Sequence, residues 1–76
     1  MAIKERRDLE RKIEALIIAI PRETEANEFY LKLAGEYQDE ASQEMFRFLA
    51  EQELRHRASL EHILAGLEEK LAKLPK

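Results

Sequence analysis

The sequence predicts an all-α fold, an antiparallel two-helix hairpin that dimerises into a four-helix bundle. Three observations carry this expectation. Apolar residues recur at alternating steps of three and four along two long stretches, with one short polar break between them. Only two glycines and two prolines occur in 76 residues, and no stretch is rich in β-formers. Two such helices side by side bury one stripe each, which leaves a small chain marginal unless a second copy covers the rest. Residues 1–76 are read as a single hairpin domain, with no internal repeat and no linker.

The first helix is expected from about Lys4 to about Tyr37. Its seam is Leu9, Ile13, Leu16, Ile20, Glu23, Asn27, Tyr30, Ala34 and Tyr37. Pro21 falls inside it. Lacking an N–H and clashing with the preceding turn, it predicts a kink or a helix restarted there. The turn is expected at Gln38 and Asp39, with Asp39 as N-cap of the second helix and Glu40 favouring its dipole. That helix is expected from about Glu40 to about Lys73, with Pro75 ending it. Its seam is Phe46, Leu49, Glu53, His56, Leu60, Ile63, Leu67, Leu71 and Leu74. Glu51–Arg55 and Glu69–Lys73 are i,i+4 pairs of supporting sign. Each helix would be roughly 45–50 Å long at 1.5 Å per residue.

Composition excludes several classes. Apolar residues make up 45% and charged residues 38%, too balanced for a disordered chain or a membrane protein. The longest apolar run, Ala15 to Ile20, is far short of the ~20 residues a membrane span needs. The opening MAIKERRDLE lacks the apolar stretch of a signal peptide, so the cytoplasm is the expected location. No cysteine is present, which removes disulfides, thiol catalysis and cysteine-ligated metals. The net charge is −3 with the two signs interleaved, so no nucleic-acid surface is expected.

Three ionisable residues interrupt the apolar seams. At ~100° per residue, Glu23 lies within about 20° of Leu16, Tyr30 and Ala34. His56 lies within about 20° of Leu49, Ile63 and Leu67, with Glu53 roughly 60° away on the same side. Counted from the turn, all three sit at one height to within about 3 Å. Inward carboxylates are costly unless partnered. Doubled by a two-fold axis, the set becomes four carboxylates and two imidazoles in one layer. One Glu from each of two helices plus Glu-x-x-His from each of the other two is the ligand set of di-iron and di-manganese carboxylate bundles. Carboxylate oxygen with imidazole suits iron or manganese, and zinc can also bind.

The stretch "ETEANEFYLKLA" (23–34) followed by "FRFLAEQELRH" (46–56) resembles the ferritin-like superfamily, nearest to rubrerythrin-type and encapsulated-ferritin-type sequences. The resemblance covers about residues 13 to 67. It implies a ferritin-like bundle, Glu23, Glu53 and His56 as metal ligands and catalytic residues, and Tyr30 hydrogen-bonded to a ligand. Full-length relatives carry two helix pairs per chain, whereas half-length ones complete the site by dimerising. It also implies two irons per dimer, a higher oligomer built from dimers, and an encapsulin shell, a protein nanocompartment, as a partner. The activity implied is ferroxidase-like, oxidising Fe(II) with oxygen or peroxide in iron storage or oxidative-stress defence.

Plainer readings stand beside these. Glu23 can be the third residue of a helix restarted at Pro21. Glu53 can pair with Arg57, and His56 can be an ordinary core histidine. Tyr30 is either core or support for a ligand, and Asn27 either orients a ligand or fixes bundle register. Tyr37 and the Met45, Phe46, Phe48 cluster are expected in the core, while Glu25, Glu28 and His62 are expected in solvent. The rival function is a non-catalytic dimerising bundle or shell-cargo module with a structural metal or a polar layer.

Overall fold

The computed structural model describes residues 2–75. It consists of two helices, α1 (Ala2–Glu36) and α2 (Glu40–Lys73), packed against each other as a hairpin. The chain runs continuously helical through Pro21, so the helix does not restart there. Pro21 is exposed, which places its missing N–H on the solvent side.

The turn is residues 37–39, and Tyr37 lies just outside α1 rather than in its last turn. Asp39 caps α2 as expected. Its carboxylate accepts from the Ser42 N–H at 2.9 Å, and its carbonyl accepts from the Gln43 N–H at 3.2 Å. Gln43 also donates from its side chain to the Tyr37 carbonyl at 2.8 Å, tying the turn to the start of α2. At the far end the Leu74 N–H bonds the Leu71 carbonyl, with Lys70 and Lys73 in the last turn, where cations complement the helix dipole.

The hairpin is a rod of 58 × 14 × 12 Å. Its Cα radius of gyration is 17.4 Å, against about 11 Å for a compact domain of this length. Few side chains are therefore enclosed. Among the described residues only Leu9, Asn27, Ala34 and Ala50 are buried. The α1 seam lies where the spacing puts it, except that Tyr37 is exposed at its end.

The α2 seam is rotated from the expected one. The buried and half-buried residues along the α2 seam are Phe46, Leu49, Ala50, Glu53, Arg57, Leu60, Leu64, Leu67, Leu71 and Leu74. His56 and Ile63 flank this line and are exposed, the side chain of His56 by 59%. Met45 and Phe48 are exposed too, so only Phe46 of that aromatic cluster packs inward, stacking on Tyr30 and Tyr37. The physical reason is that the apolar arc of α2 is wider than one partner helix can cover. The hairpin covers one side of the arc and leaves the stripe through Met45, His56 and Ile63 free.

Candidate metal centre

Glu23 comes from the middle of α1, and Glu53 and His56 from successive turns of α2. Since α1 is unbroken, Glu23 faces no helix N-terminus, and the dipole explanation for a carboxylate at this position falls away. One ligand-capable atom from each of the three residues lies within 4.8 Å of the others. The fold brings the three residues to one height along the helix pair, as their spacing predicts.

His56 Nδ1 is 3.8 Å from Glu23 Oε2 and 3.8 Å from Glu53 Oε2. These separations are too long for hydrogen bonds. They suit donors sharing an ion, since two atoms each about 2.1 Å from one metal lie roughly 3–4 Å apart. The two carboxylates are mostly covered, with side chains 24% and 21% exposed, whereas the imidazole is open.

Glu23 Oε2 is itself buried, and among the described residues it has no hydrogen-bond donor while both carboxyls are ionised. A buried carboxylate oxygen without a donor needs a proton or a cation. In the metal-free chain the Glu23 carboxyl is accordingly held above its ordinary value. The leading cause is proton sharing with Glu53, then burial, then the Glu53 charge, and His56 opposes them. The donor set and the orphaned oxygen both fit a divalent cation bound by oxygen and imidazole.

Neighbouring polar residues close the back of the cluster. Asn27 Nδ2 donates to the Ala50 carbonyl at 2.8 Å, and Arg57 donates to Thr24 Oγ1 at 3.0 Å. Arg57 also lies 3.6 Å from Glu61, so it turns away from the pairing with Glu53 considered above. Its inward position was missed because the α2 seam was traced through His56 instead of Ala50, Glu53, Arg57 and Leu60. Tyr30 packs between Phe29 and Phe46, with ring centroids 5.6 and 6.5 Å away. His62, Glu25 and Glu28 are exposed, as the spacing suggests.

The face that carries His56 continues as an apolar surface. Ala15, Leu16, Ile63 and Leu67 line a shallow groove of about 340 Å³ along it.

A family model described as Rubrerythrin matches residues 14–76, a span that contains all three residues of the cluster. No curated protein and no solved structure matches the chain.

Proposed function

The chain belongs to the rubrerythrin family, and from that premise we propose that it is a di-iron carboxylate protein with ferroxidase-type activity. Glu23, Glu53 and His56 are the ligands, and a second copy of the chain completes the site. The observation that carries this reading is the orphaned, buried Glu23 Oε2 set opposite Glu53 and His56.

One hairpin supplies two carboxylates and one imidazole, too few donors to surround two ions. Two hairpins joined across the His56 face supply the full set of four carboxylates and two imidazoles. The exposed Ile63 and the apolar groove beside it support that face as the contact. The two carboxylates per chain offset the charge of one divalent ion per chain. His56, on the open side, adds a neutral donor where a partner helix would arrive. Iron held by these residues would supply one electron per ion to oxygen or peroxide. The same ligands suit manganese, and zinc held there would be retained without redox turnover.

Anaerobic Fe(II) loading, desalting and elemental analysis test the reading. About one iron per chain is expected, with Glu53→Ala and His56→Ala each losing it. Chelation should lower Tm on the order of 10 °C, since ligand a hundredfold above Kd is worth about 2.7 kcal/mol. Absorbance appearing within seconds of admitting air would identify turnover. Retention of iron by both alanine variants would sink the ligand assignment. A chain that holds no metal and keeps its Tm in chelator would be a structural bundle with a polar layer, whether alone or as shell cargo.

A further inference from the structure

We propose that Asn27 is a positioning residue, one that sets the axial register of Glu23 against Glu53 and His56 through the backbone of α2. The proposal rests on the metal-site reading above and extends it. Asn27 is the one buried polar residue among those described, 8% exposed. Its amide donates to the carbonyl of Ala50, which is 1% exposed, at 2.8 Å. Among the described residues this is the one buried side-chain hydrogen bond between the helices. It goes to a backbone atom, so it reports the position of α2 along α1 and not the rotamer of any ligand.

The bond's location gives it that role. Asn27 lies one turn after Glu23, and Ala50 lies one turn before Glu53. The rest of the seam is largely apolar, and apolar contacts are non-directional, so they tolerate small slips. A metal site does not, since its ligand distances must hold to about 0.2 Å and one residue of slip moves a side chain by about 1.5 Å. The turn at residues 37–39 sets the register coarsely from about ten residues away. Asn27 refines it beside the cluster, and Arg57 to Thr24 braces the other side at 3.0 Å.

Asn27→Ala tests this, because it removes the directional bond and adds no bulk at the 2.8 Å contact. The metal-free variant is expected to keep its helix content and its Tm. Nitroxide labels at exposed positions 28 and 51, diluted in unlabelled chain, should give a narrow distance distribution in the parent and a broadened or displaced one in the variant. Co(II), added as the probe metal, should bind the variant at least tenfold more weakly. An unchanged distribution together with Co(II) affinity within twofold of the parent would overturn the proposal. Failure of the parent to bind Co(II) would remove the metal reading instead. The label distances would then decide register alone, an unchanged distribution overturning the role and a broadened one supporting it.

Discussion

Glu23 shows how a single side chain can be at odds with the helix that carries it. Its carboxyl is held above its ordinary value because a second carboxyl and partial burial both disfavour the charge. A raised acid in the folded state binds a proton more tightly than in the unfolded chain. Its contribution to stability is thus fully present below the unfolded value near 4.5 and is lost as pH rises through the higher folded value. Glu23→Gln removes the ionisation. At neutral pH the metal-free variant is expected to melt a few degrees higher than the parent, with the difference vanishing in acid. In the presence of metal the order should invert, because the variant has lost a ligand. Thermal melts across pH, with and without Fe(II), check both signs. A variant that melted lower than the parent in chelator would show that Glu23 is satisfied within one chain.

The three residues of the cluster were legible in the sequence because helical spacing fixes which side chains share a face and a height. The exposure of His56 was not. Periodicity locates an apolar arc, but not which part of that arc a neighbour will occupy. The arc of α2 is wide enough for two partners, and the hairpin uses the side running through Ala50 and Arg57. The Asn27 bond was likewise hidden, since its acceptor is a backbone carbonyl and sequence patterns report only side chains.

The helices owe their ends to local chemistry. α2 begins where Asp39 can accept from the free Ser42 N–H, and it stops just before Pro75. The Asp39 carboxyl is held below its ordinary value, first by the Ser42 side-chain hydroxyl and then by the Ser42 backbone N–H. The sign is therefore opposite to that of Glu23. The stabilisation is present above the unfolded value near 3.8 and is lost as pH falls through the lower folded one. Asp39→Ala should lower Tm at neutral pH and be indistinguishable from the parent in strong acid. Circular dichroism melts at the two pH values check it. Both bounds of α2 could be read in advance because a cap and a proline mark them. The continuity of α1 through Pro21 could not, since a proline on the solvent face leaves its effect to the packing on the other side.

The hairpin as a whole leaves much of its apolar surface uncovered. Ile63 is 51% exposed and Leu54 is 48% exposed, on opposite flanks of the α2 seam. In a lone hairpin, either residue changed to Glu would cost little, typically within about 0.5 kcal/mol. If a second copy covers the His56 face, Ile63→Glu buries a carboxylate in each chain at a cost of several kcal/mol. The expected outcome is a dimer Kd raised at least about 100-fold by Ile63→Glu, with Leu54→Glu leaving the dimer intact. Sedimentation equilibrium on both variants distinguishes them. A monomeric parent, or equal effects of the two changes, would remove the His56 face as the contact. No helix of the described residues is long and apolar enough to cross a membrane.

The amino-acid order alone was enough for two long helices, their turn, the Asp39 cap and a layer holding Glu23, Glu53 and His56. Each of these follows from contacts close in sequence or from a fixed angular step. It took the packed hairpin to show that Glu23 Oε2 has no donor while both carboxyls are ionised, that Asn27 grips the Ala50 carbonyl, and that His56 points out of the pair. Those facts depend on how far one helix turns and slides against the other. That rotation and offset are set by the combined fit of all the seam side chains, which the spacing of residues along either helix does not contain.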